Sequence, residues 1–382
     1  MKSWQKTVFV LALVVAVPVA AQIAQKPFFP SISGYQTLLC DFHLHTVFSD
    51  GRVWPTVRVD EAWRYGLDAI AITDHIEYRP FKDEFAGRDL NRSFEIAARS
   101  AGNFPLLMIR GGEITRSMPP GHLNAIFLSD ANPLETETWE AAIDAAAEQQ
   151  AFIFWNHPGW KAQQPDGIPR WYDEHEKIYR QGKLHGIEIV NYKSYYPEAH
   201  QMAIDKKLTL LGNTDAHDTI GMTYEEDLGE SRPYTLVFAK EKSLAAIKEA
   251  LFAHRTAVYW QETLYGDSIY VAPLFYRSIQ MPDSALVLHG KSRKWVAITN
   301  LADLDYRLEL ETPVEGYVIS EELVLVSGAT VPLAIRALRS GVETEETLAI
   351  RFRVTNILPA PAQPLRVTLQ VPVRRLASPD TK

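Results

Sequence analysis

Histidine and acidic side chains gather at the ends of apolar runs, and this placement limits the fold more than any other feature of the sequence. His43 and His45 end the run 38–45, and Asp74 and His75 end the run 69–75. Polar groups that terminate apolar strands are costly to bury unless they are used. Further candidate ligands are Asp50, Glu113, His122, His157, Asp215 and His217. The pattern predicts strands whose carboxyl ends share one polar site.

Apolar runs alternate with helical segments through the first two thirds of the chain. The runs cover residues 38–45, 69–75, 106–115, 124–128, 152–157, 187–191, 208–215 and 235–239. Helical segments such as 55–65 begin with proline and end before glycine, here Pro55 and Gly66. Nearly continuous apolar strands between helices favour a parallel sheet buried on both faces. Seven or eight such units favour a closed or distorted barrel, with the active site at the carboxyl ends of its strands.

From about residue 268 the helical pattern fades. The segments 295–298, 306–310, 322–326, 331–335, 347–354 and 365–371 alternate or are β-branched, with turn residues between them. This texture predicts a small antiparallel β-sandwich over residues 268–382, after an α/β domain over residues 36–265. We expect the sandwich to serve packing or oligomer contacts, with recognition of a surface or polymer as the alternative. The sequence carries no signal for the oligomeric state.

The first residues have the features of a secretory signal. Lys2 and Lys6 precede an apolar run at 7–19, and Ala20 and Ala21 follow it. The run is short for a membrane span. We therefore predict a signal peptide over residues 1–21 and a secreted or periplasmic protein with no membrane span after processing. An uncleaved anchor is the alternative.

The charge balance limits the class of partner. The chain has 39 basic and 47 acidic residues, a formal net charge of −8. An acidic surface disfavours non-specific binding to long nucleic acid and to anionic membranes. Cys40 is the only cysteine, so no internal disulfide is expected. It shares strand parity with Phe42 and Leu44, and we expect it to be buried.

The spacing of the candidate ligands indicates a metal site. His43 and His45 lie two apart on a strand, so both side chains point to one face, and Asp215 and His217 repeat this spacing. Histidine and carboxylate ligands without cysteine suit Zn, Mn or Fe. More ligands are present than one ion can take, which predicts a multinuclear hydrolase.

Individual ligands carry different expectations. Glu113 suits a bridge between two metals, and Asp74 would orient a ligand rather than bind an ion. His122 precedes its strand, so it reaches the site only if the segment 115–121 folds back over the mouth.

Candidate substrate residues follow the same strand ends. Arg79, Arg116, Lys161 and Lys193 could clamp a phosphoryl group, with a solvated surface position as the alternative for each. His200 is a candidate general acid. The aromatic residues Trp54, Tyr78, Trp160, Tyr192, Tyr195 and Tyr196 could wall a pocket for an apolar or sugar-like leaving group, or pack at the rim. The histidines without a motif, which we expect to be surface or structural, are His175, His185, His254 and His289.

Taken together, the motifs resemble the polymerase and histidinol phosphatase (PHP) superfamily of metal-dependent phosphoesterases, over residues 38–260. The matching stretches are 41–45 with Asp50, 73–75, Glu113 with His122 and His157, and 215–217. Within the superfamily, the stretches 48–58, 75–80 and 154–160 are similar to the secreted family named after a Sphingobium organophosphate phosphodiesterase.

This resemblance implies a distorted (β/α)7 barrel and two to three divalent ions of Mn, Zn or Fe. The first ion would take His43, His45, Glu113 and Asp215, the second Glu113, His122 and His157, and the third Asp50, His75 and His217. Glu113 and Asp215 would thus belong to the catalytic machinery. A water bridging the ions would attack phosphorus, and the excess positive charge would attract an anionic phosphate.

These inferences predict a secreted, metal-dependent phosphodiesterase that acts on small organic phosphodiesters. A phosphomonoesterase or a nuclease on the same trinuclear site is the alternative, and the lack of a basic stripe counts against long nucleic acid. A non-catalytic surface-binding protein is a third reading, which the retention of every ligand disfavours.

Overall fold

The computed structural model describes residues 26–377 except 33, 85–87, 103 and 340–342. The predicted signal peptide over residues 1–21 lies outside the described residues. Within the described part of the chain, no helix has both the length and the apolar character needed to cross a bilayer.

Strands and helices alternate in the N-terminal part, as the sequence predicts. The strands are β1 (Gln36–Asp41), β2 (Ala69–Ile72), β3 (Leu107–Ile114), β4 (Leu123–Ile126), β5 (Phe152–Trp155), β6 (Gly186–Asn191), β7 (Ser194–Tyr195), β8 (Thr209–Asn213), β9 (Tyr234–Ala239), β10 (Thr256–Trp260) and β11 (Thr263–Tyr265). The helices are α1 (Pro55–Arg64), α2 (Arg92–Ala101), α3 (Trp139–Glu148), α4 (Asp173–Arg180), α5 (Pro197–Lys206), α6 (Ile220–Thr223), α7 (Leu244–Phe252) and α8 (Ser268–Ser278). Short 3-10 turns lie at Asn132–Leu134 and Glu226–Leu228.

Local chemistry explains several helix starts. Pro55 occupies the first turn of α1, where its missing N–H costs no hydrogen bond. Thr138 and Ser243 precede α3 and α7, and their side chains accept hydrogen bonds from the backbone N–H of Ala141 and Ala246. Such caps satisfy donors that a helix leaves free at its amino end.

The N-terminal strands form one mixed sheet in the order β11-β10-β9-β1-β2-β3-β4-β5-β6-β7, with β8 paired to β6. The pairs β1–β2, β2–β3, β5–β6 and β6–β8 are parallel. The expectation of a wholly parallel sheet was wrong for β9, which runs antiparallel to β1 and β10. It was also wrong for β4, which runs antiparallel to both β3 and β5. Only residues 115–122 connect β3 to β4, too few for the crossover that a parallel pair needs.

The sheet curls into a half-barrel that brings β8 beside β9 and β10. Threonine side chains join these strands: Thr256 Oγ1 donates to the Leu210 carbonyl at 2.8 Å, and the Gly212 N–H donates to Thr235 Oγ1 at 2.9 Å. Beyond the strand ends, isolated bridges pair Leu44 with Ala216 and His75 with Glu113. The curl therefore gathers the carboxyl ends of β1, β2, β3, β5 and β8 around one mouth.

The C-terminal part is a β-domain of two packed sheets. It begins with β12 after helix α8, so the prediction that helical structure ends at residue 268 was wrong for Ser268–Ser278. Its strands are β12 (Ile279–Gln280), β13 (Leu286–His289), β14 (Arg293–Asn300), β15 (Tyr306–Leu310), β16 (Tyr317–Ile319), β17 (Glu322–Leu325), β18 (Thr330–Ala337), β19 (Thr344–Val354), β20 (Ile357–Leu358) and β21 (Leu365–Leu376). One sheet has the order β12-β14-β18-β16 and the other β13-β21-β19-β15-β17. Buried and exposed residues alternate along β19 and β21, as they do when one face of a strand packs on a core.

Two details of this domain differ from a purely antiparallel sandwich. β13 pairs parallel with β21. This direction is possible because the two strands are far apart in sequence and no hairpin turn joins them. β20 leaves the domain and pairs parallel with β11 of the first sheet.

The two parts of the chain share one hydrophobic core. Residues from β1 to β21 belong to a continuous buried cluster, and Phe275 of α8 contacts Tyr306 with ring centroids 5.1 Å apart. Asn356 adds polar contacts between them. Its Nδ2 donates to the Glu262 and Asp305 carbonyls at 2.8 and 2.7 Å, and its Oδ1 accepts from the Arg307 N–H at 3.0 Å.

We expect Asn356→Ala to destabilise the protein by about 2–4 kcal/mol, since it leaves buried backbone groups without partners. Urea denaturation monitored by circular dichroism measures this change. Glu309→Ala, which removes only an exposed ion pair with Arg353, is the control and should change the free energy of unfolding by less than ~1 kcal/mol. Equal stability of the two variants would contradict the role of Asn356.

Candidate metal centre

Residues just beyond β1 and β8 form the innermost part of the site. His43 and His45 are fully buried, and their Nε2 atoms lie 3.1 Å apart. Asp215 Oδ1 lies 3.2 Å from His43 Nε2 and 3.0 Å from His45 Nε2. Asp215 has a φ of 51°, a strained conformation for a non-glycine residue, which its N–H supports by donating to the His43 carbonyl at 3.0 Å.

Glu113, at the end of β3, lies at the centre of the site and is fully buried. Its Oε1 is 3.0 Å from His122 Nδ1 and 3.4 Å from His157 Nε2. Its Oε2 is 3.3 Å from His45 Nε2 and 2.7 Å from His75 Nδ1. Burial would raise the pKa of Glu113, but the surrounding imidazoles hold that pKa well below its usual value. The carboxylate is therefore ionised, and imidazole nitrogens lie close to both of its oxygens.

Asp50, His75 and His217 lie on the solvent side of the site. Asp50 Oδ1 is 3.4 Å from His75 Nε2 and 3.2 Å from His217 Nε2. His217 Nδ1 donates to the Asp215 carbonyl at 2.8 Å, which turns Nε2 toward Asp50. The side chain of His217 is 34% exposed, so this group opens to solvent.

All nine predicted ligands fall into overlapping groups of potential ligand atoms. The groups are His45, Asp50, His75 and His217; His43, His45 and Asp215; His43, Glu113 and His157; and His75, Glu113 and His122. The first contains the set expected for the third metal, with His45 added. His122 and His157, expected to share an ion, fall into different groups that have Glu113 in common. The segment 115–121 does fold back and delivers His122.

The donor chemistry fits divalent ions. The nine side chains offer imidazole nitrogens and carboxylate oxygens, the ligands that Zn, Mn and Fe accept. Asp50 Oδ1 and Glu113 Oε2 are buried and accept no hydrogen bond, although imidazole nitrogens lie within 2.7–3.4 Å of them. Carboxylate oxygens and imidazole nitrogens that approach each other without hydrogen-bond geometry are arranged as ligands of a common metal ion would be.

Most of the chain, including residues of both domains, matches one solved structure. A two-domain protein from Bacteroides vulgatus that contains a predicted PHP-like metal-dependent phosphoesterase is 43% identical over 92% of this chain and 100% of its own, with a TM-score of 0.85. This chain belongs to the PHP-like metal-dependent phosphoesterases.

Other comparisons are consistent with the two-domain layout or are distant. Residues 279–370 of this phosphoesterase match a family of Ig-like domains. PsfC from Pseudomonas syringae aligns at 16% identity over 63% of the chain and 98% of its own, with a TM-score of 0.41. None of the curated proteins matches the sequence.

Glu188 in β6 orients residues of the phosphoesterase site, and no sequence motif indicated it. Its Oε1 lies 2.9 Å from His43 Nδ1 and accepts from Asn213 Nδ2 at 2.9 Å. Its Oε2 accepts from the His157 N–H at 2.7 Å and from Asn191 Nδ2 at 2.8 Å. A carboxylate behind a ligating histidine fixes its tautomer and ring orientation. The only signal in the sequence is an acidic residue inside the apolar run 187–191.

Arg58 in α1 ties two ligand-bearing loops together and was also missed. Its guanidinium is buried and donates to the carbonyls of His45, Ala216 and Asp218 at 2.8, 2.6 and 2.8 Å. Glu61 Oε2 accepts from the same group at 2.9 Å. The arginine therefore sets the spacing between the loop after β1 and the loop after β8.

Asp74 has the orienting role that the sequence suggested, but acts through an intermediate residue. Its Oδ1 accepts from Ser49 Oγ at 2.7 Å, and Ser49 Oγ lies 3.3 Å from His45 Nδ1. Asp74 also accepts from the N–H and hydroxyl of Thr46 at 2.7 and 2.8 Å.

Most of the cationic side chains that were predicted to bind the substrate form ion pairs with carboxylates. Arg79 pairs with Glu135, Arg116 with Glu77, and Lys193 with Glu230. Arg79 still lines a small cavity beside His75, whereas Arg116 also donates to the Thr136 and Glu137 carbonyls and acts as a loop anchor. Lys161 and Tyr192 are exposed beyond β5 and β6.

His200 is not brought to the metal ligands. It is fully buried in α5, where its Nδ1 lies 3.0 Å from Tyr195 Oη and its ring lies 6.2 Å from that of Tyr265. Burial lowers the pKa of His200 to about 4. The general-acid role of His200 stays a prediction, and the structure places its ring against Tyr195, outside the four groups of potential ligands.

The other histidines without a motif are structural or exposed. His175 stacks on Trp155 at 3.8 Å between ring centroids, and its Nε2 donates to the Pro120 carbonyl at 2.7 Å, so it supports the loop that delivers His122. His185 Nδ1 accepts from the Ile153 N–H at 3.0 Å, and His254 Nδ1 lies 2.9 Å from Thr209 Oγ1. His289 is exposed.

Glu188→Gln should weaken metal binding by roughly 10–100-fold and lower turnover, since loss of the charge behind His43 weakens its orientation. Metal titration of chelator-treated protein measures the affinity. Glu198→Gln, an exposed substitution on α5, is the matched control and should bind metal like the wild type. An unchanged affinity in Glu188→Gln would remove the orienting role.

Acid should weaken the fold through His175, whose pKa is lowered to about 4 by burial from an ordinary value of 6.5. The unfolded state takes up the proton first as pH falls. The stability from neutral His175 is thus complete above pH 6.5 and is lost toward the folded pKa, by at most ~1.4 kcal/mol per pH unit.

Denaturation of chelator-treated wild type and His175→Gln across this pH range tests the sign. The difference in unfolding free energy should shrink as pH falls, while exposed His289→Gln should follow the wild type throughout. A difference that stays constant with pH would show that folding does not lower the pKa of His175.

Proposed function

We propose that this protein is a metal-dependent hydrolase that cleaves phosphodiester bonds of small organic phosphodiesters. The convergence of six imidazoles and three carboxylates on one mouth carries the proposal. The stretches that resemble the Sphingobium-type phosphodiesterase family surround this mouth and favour a diester substrate.

The ligands would hold two to three ions of Mn, Zn or Fe. Bound there, divalent ions polarise a phosphoryl group and make a water nucleophilic near neutral pH. Glu113 presents its two oxygens to different histidines and would link neighbouring positions, while Asp215 would complete the position at His43 and His45. The negative charge of three ligating carboxylates would be smaller than the positive charge of the ions. The mouth would therefore attract an anion although the chain as a whole is acidic.

The pairing of the rim cations also favours a diester. Arg79, Arg116 and Lys193 each face a carboxylate, which offsets their charge toward a substrate. A dianionic monoester gains more from free cations than a monoanionic diester does. Arg79 and Lys193, together with Tyr192 and Lys161, would border the substrate rather than neutralise it.

We further propose that residues 1–21 are a cleaved signal peptide and that the protein acts outside the cytoplasm. Residues 36–265 would form the catalytic domain as a distorted (β/α)7 barrel, and the strands that follow α8 a sandwich that supports it. Small phosphodiesters, rather than long nucleic acid, would be the substrates, since the chain lacks a net basic charge.

Elemental analysis beside hydrolysis of matched substrates tests this function. We expect two to three Mn, Zn or Fe ions per chain, bis(p-nitrophenyl) phosphate hydrolysed faster than p-nitrophenyl phosphate, and loss of activity on chelation. Faster monoester turnover would favour a phosphatase, and absence of both metal and activity would leave a binding protein.

Loss of a ligand should abolish this turnover without unfolding the chain. His43→Ala and Glu113→Gln each remove a fully buried candidate metal ligand, and we expect activity to fall by at least about 100-fold in each variant. Circular dichroism checks the fold, and exposed His289→Ala is the control. Full activity in both ligand variants would refute the assignment.

A further inference from the structure

Two exposed aromatic side chains border the metal-ligand groups from different strand ends. Tyr78 follows β2 and is 54% exposed, and Trp160 follows β5 and is 45% exposed. Large apolar surfaces left open to water beside a site commonly mark binding surfaces. The contacts of the neighbouring residues show whether the backbone holds each exposed ring in a fixed position.

Trp160 is held firmly while its ring stays open. The backbone N–H of Trp160 donates to the His157 carbonyl at 2.9 Å. The backbone carbonyl of Trp160 accepts from the backbone N–H groups of Gln163 and Gln164 at 2.9 and 2.7 Å. The turn is tight, because a Cβ on Gly159 would lie 2.5 Å from the Gly167 carbonyl oxygen. The indole lies 5.6 Å from the His122 ring and 5.4 Å from the His157 ring.

Tyr78 is exposed between two anchored neighbours. Glu77 Oε2 accepts from the Thr115 N–H at 2.7 Å, and Arg79 pairs with Glu135. The Tyr78 ring lies 5.8 Å from the His75 ring, at an interplanar angle of 70°. The backbone on both sides is therefore fixed, and the ring stands at the edge of the site.

The two rings border one ligand group. Tyr78 contacts His75 and Trp160 contacts His122, and these histidines join Glu113 in a single set of potential ligands. A phosphoryl group held at that set would place its ester substituent beside both aromatic surfaces. Rigid aromatic faces favour planar aromatic groups through offset or edge-to-face contacts.

We propose that Tyr78 and Trp160 form a subsite for the aromatic ester group of an aryl phosphoester. This inference rests on the proposed function and narrows its substrate class. The two rings supply contact area and geometry, while the buried ligands hold the phosphoryl end. An ester group without a flat apolar face would gain little from the subsite.

Binding of non-hydrolysable phosphonates to the metal-loaded protein tests the subsite without turnover. Phenylphosphonate and methylphosphonate share the anionic end and differ in the aromatic ring. Isothermal titration calorimetry should show the phenyl compound binding about 10-fold more tightly, since an aromatic contact contributes a factor of roughly 2–12. Cyclohexylphosphonate, similar in size but not flat, should bind more weakly than the phenyl compound.

Variants assign the preference to the two rings. Trp160→Ala and Tyr78→Ala should each reduce the phenyl-to-methyl affinity ratio by about 3-fold or more, with methylphosphonate affinity nearly unchanged. Trp160→Phe and Tyr78→Phe should keep most of the ratio. Trp295→Ala, at an exposed tryptophan of the C-terminal domain, is the control and should keep all of it.

The outcomes separate this subsite from the proposed function. Equal binding of phenyl and methyl compounds, tighter binding of the cyclohexyl compound, or an unchanged ratio in both alanine variants would overturn the subsite. Discriminating phosphonate binding without hydrolysis of any phosphoester would support the subsite and refute only the proposed activity.

Discussion

The buried carboxylate of Glu113 faces imidazole nitrogens of five histidines. His43, His122 and His157 lie 3.0–3.5 Å from Oε1, and His45 and His75 lie 2.7–3.3 Å from Oε2. These histidines come from the ends of β1, β2 and β5 and from the start of β4. The curl of the sheet, the reversal at β4 and the loop 115–122 all serve to bring those nitrogens to one carboxylate. So many ionisable groups without solvent would be costly unless cations share their lone pairs.

Residues behind the ligands maintain this arrangement. Glu188 holds His43 and the backbone of His157, and Arg58 joins the loops that carry His45 and Asp215. His157 and Asp215 have φ values of 26° and 51°, in the left-handed region that favours glycine. Strain of this kind persists only when surrounding contacts over-determine it. The hydrogen bonds of Glu188 and of the His43 carbonyl supply those contacts.

The sequence predicted the α/β architecture and the nine side chains that the structure gathers into potential ligand groups, because both depend on short-range patterns. Strand-end position and a spacing of two residues place His43, His45, Asp215 and His217 without knowledge of the tertiary fold. The roles of Glu188 and Arg58 were not predicted, because each residue acts through partners that are distant in sequence. A single charged residue within a strand or helix forms no recognisable motif.

Predictions in the loops were less accurate for a related reason. Arg116 was expected at the substrate, yet its partners Glu77 and Thr136 are set by the packing of loops. The buried position of His200 was not predicted, because the periodicity of α5 did not fix which side faces the core. The parallel pairing of β13 with β21 likewise depends on contacts that no local turn specifies.

The strand β20 makes the two domains structurally dependent on each other. It leaves the Ig-like part, borders β11, and is followed back into that part by β21, while Asn356 bonds to both. A gene that lost the C-terminal region would encode a catalytic sheet with an open edge, and edges of that kind recruit other chains. A recombinant that exchanged one domain alone would therefore have to keep the pairing of β20 with β11 and the hydrogen bonds of Asn356.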